Sequence, residues 1–421
     1  MTLIFVFAGL FCNAGNRAGL RHFDCKSVTA MGRPVLVVST DHVVDEARII
    51  SYVRLHASYL SSAFAPELSP ALLAHNNTPI TWPPAMDLVV ARPEGLYCTA
   101  GDFYIDPWRP VERSVITHGH GDHARTGNEH YLAAAPGEGI LRTRLGQDIN
   151  LQLLEYGEVL HHNGVTLSFH PAGHVLGSAQ VRLEYKGEVW VASGDYKVEP
   201  DGTCAPFEPV QCHTFITEST FGLPIYRWQP QSEIFEEVNQ WWRANAEQGK
   251  ASVLFAYAFG KAQRLLHGID ASIGPILAHG SVEPLNRVYR DAGVYIPETQ
   301  YAGDFKKTDP ALRNALIIAP PSAGGSTWMR RFGDYSDAFA SGWMRLRGTR
   351  RRRGVDRGFV LSDHADWPGL LWAIEQTGAE RVMVTHGSVE VLVRYLRDIG
   401  LDAQGFTTEY GDEEEPQEAT S

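Results

Sequence analysis

The stretch Thr117-His118-Gly119-His120-Gly121-Asp122-His123 decides the fold, and it directly follows a strand-like run. It places three imidazoles and one carboxylate in a single turn. Residues two apart in an extended segment point the same way, so His118 and His120 are expected to bind one metal ion. Asp122 and His123 then face a second ion. A polar surface loop is the alternative interpretation, but it would not explain the matching residues downstream.

Three later residues complete the predicted site. His174 lies in the loop 172–178 after an alternating strand-like run, where it can reach the first ion. Asp195 follows an apolar strand-like run, and its two oxygens can bridge two cations about 3.5 to 4 Å apart, which makes it a catalytic residue as well. His386 closes the site, and Gly387 lets the backbone turn without crowding the ions. Imidazole and carboxylate ligands favour two divalent transition-metal ions, zinc first, with manganese as a substitute.

The opening stretch resembles the H-x-H-x-D-H motif of the metallo-β-lactamase superfamily. Residues 215–222 and 361–366 resemble motifs A and B of the β-CASP nucleases, and Thr385-His386-Gly387 resembles motif C. Enzymes of that family cut nucleic acids. The resemblance covers roughly residues 86–405, which is most of the chain.

The resemblance implies a mixed α/β protein: a metallo-β-lactamase αββα sandwich with an inserted α/β β-CASP cap domain. The core would comprise residues 86–222 and 358–408, and the cap residues 223–357. Substrate would enter the cleft between them. Residues 409–421 are strongly acidic and read as a disordered tail.

Periodicity favours the same fold class independently. Strand-like runs at 165–169, 189–192 and 252–259 alternate with helical patterns, among them 232–247, for which Gly249 is a stop signal. This helix has an apolar stripe formed by Ile234, Val238, Trp241 and Trp242.

A narrower resemblance concerns residues 95–98, 106–110 and 341–344, which are similar to the bacterial ligase-associated DNA exonucleases. These are relatives of the crosslink-repair nucleases and are often labelled mRNA 3′-end processing factors. The resemblance implies a DNA exonuclease in end repair, with an ATP-dependent DNA ligase and a helicase as partners. DNA-repair members of the family often carry an apolar residue at motif C, whereas RNA-processing members carry a histidine, as here at His386. An RNA-processing nuclease is therefore the alternative. A small-molecule hydrolase is less favoured, because such enzymes lack the cap and motifs A and B.

The leaving oxygen of a cleaved phosphodiester needs a proton. His364 is the candidate donor, and Glu218 is placed to hold its imidazole and favour the charged form. The alternative for His364 is a polar residue ahead of a helix that Asp366 caps, and both interpretations can hold. Asp106 could orient a metal-bound histidine, although a plain turn before Pro107 explains it equally well.

Composition sets limits on the interpretation. A chain of 421 residues with 44% hydrophobic and 20% charged residues is expected to be soluble and large enough for two domains. No span is long enough to cross a membrane. The five cysteines include no CxxC pair, which fits a reducing cytoplasm better than a disulfide framework.

The formal charge of -12 is unusual for a protein that binds phosphate, so the distribution of charge matters more than its sum. Basic residues cluster immediately before motif B, where they could form a phosphate track into the site. A solvated loop is the alternative. Ser362 of motif B is expected to contact nucleic acid as well. The clustered arginines are Arg345, Arg347, Arg350, Arg351, Arg352, Arg353 and Arg357.

The first 85 residues differ from the rest. Residues 1–12 are apolar but lack the cationic start of a signal peptide. A helix at 44–58 would be marginal without a partner surface. We therefore expect residues 1–85 to be a disordered or mis-assigned extension, with Met86 as the natural start.

Overall fold

The computed structural model describes residues 87–406 and, before them, three strands that form a sheet of order β1-β3-β2. Both strand pairs in that sheet are antiparallel. The expected helix at 44–58 and the acidic tail at 409–421 lie outside the described residues. The chain divides into the compact units Met1–Ala85 and Met86–Ser421. That residues 1–85 are a disordered or mis-assigned extension stays a prediction. The three strands are β1 (Thr2–Val6), β2 (Asp24–Ala30) and β3 (Arg33–Ser39).

The second unit begins with a six-stranded sheet in simple sequence order. Its first two strand pairs are antiparallel, and the remaining three are parallel. The strands are β4 (Val89–Arg92), β5 (Gly95–Cys98), β6 (Phe103–Ile105), β7 (Arg113–Ile116), β8 (His130–Ala134) and β9 (Leu151–Leu154), and helix α1 (Glu138–Leu145) lies between the last two.

A seven-stranded sheet follows, formed by two separate parts of the sequence. Its order is β10-β11-β12-β13-β14-β21-β22, antiparallel as far as β13 and parallel beyond it. The strands are β10 (Val159–His162), β11 (Val165–Pro171), β12 (Ala179–Tyr185), β13 (Glu188–Ala192), β14 (Thr214–Glu218), β21 (Arg381–Thr385) and β22 (Asp402–Gly405). Two helices accompany its second part, α6 (Trp367–Thr377) and α7 (Val389–Asp398).

Between β14 and β21 the chain forms a third sheet, and residues 231–359 are called the inserted segment below. All its strand pairs are parallel, in the order β17-β16-β18-β15-β19-β20. The strands are β15 (Ala251–Phe255), β16 (Ile276–Ala278), β17 (Gln300–Tyr301), β18 (Leu316–Ala319), β19 (Tyr335–Ala340) and β20 (Arg357–Phe359). The helices are α2 (Gln231–Glu247), α3 (Lys261–Gly268), α4 (Glu283–Asp291) and α5 (Arg347–Arg353).

The first two sheets of this unit pack face to face. Phe103 of β6 and Phe169 and Trp190 of the seven-stranded sheet lie in one buried cluster between them. Helices α6 and α7 cover the other face of the seven-stranded sheet, whereas Leu141 of α1 packs against β7 and β8. The resulting layers are helix, sheet, sheet and helix. The mixed α/β class predicted from the sequence is therefore confirmed.

Most predicted elements that lie in the described residues agree with the structure. Helix α2 buries the predicted apolar stripe and ends just before Gly249, where φ is 66°. The predicted strand 252–259 is too long, because β15 ends at Phe255 and a turn leads into α3. Gly260 ends that turn with a φ of 82°. None of the described helices is both long enough and apolar enough to cross a membrane.

A chain that begins at Met86 is expected to melt at the same temperature as the full chain and to bind metal equally well. Residues from Asp87 onward bury their own core, and Arg381 donates two hydrogen bonds to Asp87, of 2.5 and 3.1 Å. Thermal unfolding followed by circular dichroism measures the comparison. A midpoint lower by more than a few degrees would contradict the prediction.

Candidate metal centre

Four predicted ligands converge beyond the ends of β7, β11 and β13. His118 Nε2 and His174 Nε2 each lie 3.0 Å from His120 Nδ1. Asp195 Oδ2 lies 3.4 Å from His118 Nε2 and 3.7 Å from His174 Nε2. One ligand atom from each of the four residues falls within 4.8 Å of all the others, so this group could bind a metal ion.

Two of the three imidazoles have their protons fixed by backbone carbonyls. His174 Nδ1 lies 2.8 Å from the carbonyl oxygen of Asp363, and His120 Nε2 lies 3.2 Å from that of Phe259. A carbonyl oxygen only accepts hydrogen bonds, so each of these nitrogens carries the proton. The opposite nitrogen of each ring, which faces the cluster, therefore has a lone pair.

The third imidazole is fixed through a hydroxyl. Thr117 Oγ1 donates its only proton to Asp106 Oδ2 at 2.5 Å. Thr117 Oγ1 must therefore accept the hydrogen bond from His118 Nδ1, at 3.1 Å. His118 Nε2 is then also unprotonated. Three lone pairs consequently face one another at contact distance beside a carboxylate. Such an arrangement is repulsive by itself and matches what a cation requires of its ligands.

Burial acts in the same direction. Loss of solvation lowers the pKa of His118 and of His174 well below the usual value of an imidazole, and it lowers the pKa of His120 as well. All three rings are therefore neutral near pH 7, the form in which histidine binds metal.

The remaining predicted ligands form a second group on the other side of Asp195. His123 Nε2 lies 3.4 Å from Asp195 Oδ2 and 3.8 Å from Asp122 Oδ2. The ring of His386 lies 5.5 Å from that of His123, and both rings line one small pocket with Asp122. The same oxygen, Oδ2 of Asp195, thus faces both groups. The sequence predicts that the two oxygens of Asp195 bridge the ions, whereas in the structure a single oxygen lies closest to both groups.

Charges around His123 outweigh its burial. Burial alone would lower the pKa of His123, but the carboxylates of Asp195, Asp122 and Asp106 raise it well above the usual value. Burial would raise the pKa of Asp195, but the imidazoles of His123 and His364 hold it well below its usual range. The carboxylate between the two groups is therefore ionised.

Asp106 satisfies both interpretations of its role. It follows β6 with a φ of 44°, in a turn before Pro107. Its Oδ2 also accepts from His123 Nδ1 at 2.7 Å, and its Oδ1 accepts from the backbone N–H of Thr117 at 2.8 Å. The contact needed to orient a metal-bound histidine is present. That this is its function stays a prediction.

His364 and Glu218 meet as expected from the sequence. His364 Nδ1 lies 2.9 Å from Glu218 Oε2 and 3.1 Å from Oε1, and the Glu218 side chain is 1% exposed. Burial would lower the pKa of His364, but Glu218 and Asp195 raise it to about 9. One ligand-type atom from each of these three residues lies within 4.8 Å of the others. A charged imidazole therefore stands directly beside Asp195.

The helix-cap interpretation of this segment is also confirmed. Asp366 Oδ1 accepts from the backbone N–H of Gly369 at 2.9 Å at the start of α6. Its Oδ2 accepts from the backbone N–H of Trp228 at 2.8 Å. The indole of Trp228 donates to the carbonyl of His364 at 2.9 Å, so the cap also holds the loop that carries the predicted acid.

Gly387 is required for a different reason from the one expected. Its φ is 72°, and a Cβ there would lie 2.3 Å from the carbonyl oxygen of Ser219. The close neighbour is thus the backbone of motif A. The expectation that Gly387 spares the metal ions from crowding is replaced by this backbone contact.

The predicted nucleic-acid contacts differ in their exposure. Ser362 is buried, and its hydroxyl accepts from the backbone N–H of His364 at 3.0 Å, which shapes the loop. Arg345, Arg347 and Arg351 are exposed. Their binding role stays a prediction. The backbone of Arg350, Arg352 and Arg353 lies in α5 with Arg347 and Arg351.

Sequence reasoning missed the outer contacts of the ligands. Lys261 Nζ lies 3.1 Å from Asp363 Oδ1, and Arg264 Nη2 donates to the carbonyl of His174 at 2.9 Å. Both cations lie on α3 and are buried. A possible signal was two cations among the apolar residues of a short helix. Nothing local in the sequence indicates the carbonyl of Phe259.

The sequence of this chain is similar to those of several known proteins. No family model matches the chain. It is 32% identical over 73% of its length to the "Probable DNA ligase" of Opitutus terrae, of which it covers 30%. It is 28% identical over 28% of its length to "Endoribonuclease YSH1" of Saccharomyces cerevisiae, covering 15% of that protein. It is 28% identical over 33% of its length to the "RNase J-like protein" of Methanocaldococcus jannaschii, covering 36% of it.

Similarity to solved structures adds no argument. A protein of unknown function from Enterococcus faecalis V583 is 9% identical, with a TM-score of 0.45 over 66% of this chain and 76% of the other. The curated relatives are more informative. Their similarity supports the family of the β-CASP nucleases of the metallo-β-lactamase superfamily. The chain spans between 15% and 36% of the length of each of the three relatives named.

Proposed function

We propose that this chain is a two-metal phosphodiesterase, and specifically a DNA exonuclease in DNA end repair that works with an ATP-dependent DNA ligase. The observation that carries the chemistry is the convergence of three imidazole lone pairs on Asp195, with the His364–Glu218 pair beside it. The layered core and the inserted segment fit an αββα sandwich with a β-CASP cap at residues 223–357.

The two groups of ligands fit two divalent ions. His118, His120 and His174 would hold the first ion, and Asp195 would lie between the two. When bound, such ions lower the pKa of the attacking water and neutralise charge on the phosphate. Imidazole ligands favour zinc, and manganese is a possible substitute. The ligands of the second ion would be Asp122, His123 and His386.

The chain's own residues supply the proton. Hydrolysis forms a bond between the water oxygen and phosphorus and breaks the bond to the leaving oxygen, which must be protonated. Glu218 holds His364 Nδ1 and keeps the ring charged, so Nε2 can give its proton to the leaving oxygen. The buried carboxylate thus fixes which nitrogen acts as the acid.

The relatives support DNA as substrate, with RNA as the alternative. The Opitutus terrae protein is named a DNA ligase, and this chain matches only 30% of it, so the similar part lies within a longer ligase-named chain. This favours action beside a ligase. The relatives' names give no support to a helicase partner. The two ribonuclease names, together with His386 at motif C, favour RNA. A phosphate track along α5 and a cytoplasmic location stay predictions.

Substrate preference is tested with purified protein and end-labelled single- and double-stranded DNA and RNA of one sequence. We expect stepwise shortening of DNA from an end, with RNA cut at least about tenfold more slowly. Covalently closed circular DNA is the control and should persist. Faster cleavage of RNA, or cutting of the circle, would replace the DNA exonuclease by the RNA-processing or endonuclease alternative.

Metal content is the second test. Elemental analysis of active protein is expected to find two ions per chain, because the ligands form two groups with Asp195 between them. Removal by a chelator should abolish cleavage, and zinc or manganese should restore it. An active preparation with no more than one ion per chain would remove the bridging role of Asp195.

The variants His364→Ala and His386→Ala are expected to differ. His364→Ala should slow cleavage by roughly 10²- to 10⁴-fold, the range of a lost general acid, with metal content unchanged. His386→Ala should lower both rate and metal occupancy, because it removes a ligand. Measuring rate and bound metal on the same samples separates proton transfer from metal binding.

A phosphodiester with a better leaving group is the control for His364. A p-nitrophenyl ester needs little help from an acid, so His364→Ala should cut it much closer to the rate of the unchanged protein. If the variant is as impaired on this ester as on DNA, then His364 positions substrate and is not the acid.

A further inference from the structure

Helix α3 brings two cations of the inserted segment to the metal centre. Lys261 Nζ lies 3.1 Å from Asp363 Oδ1, with both side chains buried. Arg264 pairs with Asp201 Oδ2 at 2.5 Å and donates to the carbonyl of His174 at 2.9 Å. Buried ion pairs are costly to break, because the remaining charge is left without solvent.

Both cations act on His174, one through its ring and the other through its backbone. Asp363, the partner of Lys261, is also the residue whose carbonyl accepts from His174 Nδ1 at 2.8 Å. Arg264 holds the carbonyl of His174 from the other side of that residue. Tyr289 of α4 accepts from the backbone N–H of Leu176 at 3.2 Å. The loop that carries His174 is thus held directly by Arg264 and Tyr289 and, through Asp363, by Lys261. All three side chains belong to the inserted segment.

The turn before α3 holds a second ligand. The carbonyl of Phe259 accepts from His120 Nε2, as described above. Gly260 makes this approach possible, since a Cβ at that residue would lie 2.3 Å from Val175 Cγ1. The Gln263 side chain accepts from the N–H of Gly260 at 2.8 Å and donates to the carbonyl of Ala258 at 3.0 Å, which keeps the turn in place.

We infer that the inserted segment is a structural part of the metal centre, and that Lys261 and Arg264 are positioning residues for the zinc ligand His174. The inference rests on the metal site of the proposed function. Asp363 Oδ1 accepts no hydrogen bond within the described part of the chain; the Lys261 ammonium lies 3.1 Å from it, closer than His364 Nε2 at 3.9 Å. Without Lys261, the buried carboxylate must seek water. The loop would then move and take the carbonyl that fixes His174 with it.

The experiment measures zinc affinity in the full chain by competition with a chromophoric chelator. Lys261→Met keeps the length of the side chain and removes its charge. Asp363→Asn removes the opposite charge and keeps the carbonyl that holds His174. Each single variant is expected to bind zinc about 10- to 100-fold more weakly, the usual effect of losing an outer partner of a ligand. The absorption spectrum of bound cobalt should also change, since it reports ligand geometry.

Two further variants separate positioning from general stability. Lys261→Arg keeps the charge and should restore most of the zinc affinity. The double variant Lys261→Met/Asp363→Asn leaves no unpaired charge, so its melting temperature should recover relative to the singles. Its zinc affinity should nevertheless stay low, because the tie between α3 and the loop is gone. Lys250→Met, also in the inserted segment but before β15, is the matched control and should bind zinc normally.

The outcomes of these measurements either support or overturn the positioning role of Lys261. Zinc affinity and a cobalt spectrum unchanged in Lys261→Met would show that the lysine does not position the ligand. Affinity that merely follows the melting temperature, and returns in the double variant, would reduce the pair to a fold-stabilising contact. If the single variants do not fold, the double variant and Lys261→Arg carry the comparison. If the unchanged protein binds no zinc, the proposed metal site itself fails, independently of Lys261.

Discussion

The mutual approach of three neutral imidazoles in a buried space is the constraint on which the rest of the site depends. His118 Nε2 and His174 Nε2 each lie 3.0 Å from His120 Nδ1, with lone pairs facing inward. Left alone, they would separate or take up protons, and burial opposes protonation. Holding them requires each outer nitrogen to be tied down. The partners that do so lie at the end of β7, in motif B and in the inserted segment.

The hydrogen bonds that fix the three outer nitrogens come from different parts of the fold. Thr117, at the end of β7, connects His118 to Asp106 at the end of β6. Neighbouring strands therefore fix one imidazole. His174 is fixed by the backbone of motif B, which follows the inserted segment in the sequence. His120 is fixed by a carbonyl inside that segment. The outer nitrogen of His118 is thus fixed from the six-stranded sheet alone. Those of His120 and His174 are fixed by residues more than a hundred positions further along the sequence.

This difference also explains what could be predicted from the sequence. The candidate ligands are predicted from their spacing at strand ends, and the contact between His364 and Glu218 is predicted from the resemblance to motifs A and B. The carbonyl of Phe259 could not be predicted, because any residue type offers one and the contact spans 139 positions. The strand predicted at 252–259 is longer than β15 for the same reason: the contacts that end it lie far away in the sequence. Its apolar residues suit a strand equally well, but the turn at 257–260 is set by packing against the metal loop.

Charge balance argues against treating the inserted segment as a removable lid. The core contributes Asp363 and Asp201, and α3 contributes Lys261 and Arg264, so two buried charges of each sign meet at this boundary. Separation would expose the two cations to water at little cost. Asp363 and Asp201 would lose the cations that balance their charges, and each would need water or a proton. Opening at α3 is therefore opposed by the core side of the boundary. Because Asp363 also holds His174, any such opening would disturb the metal ligands before it admitted substrate.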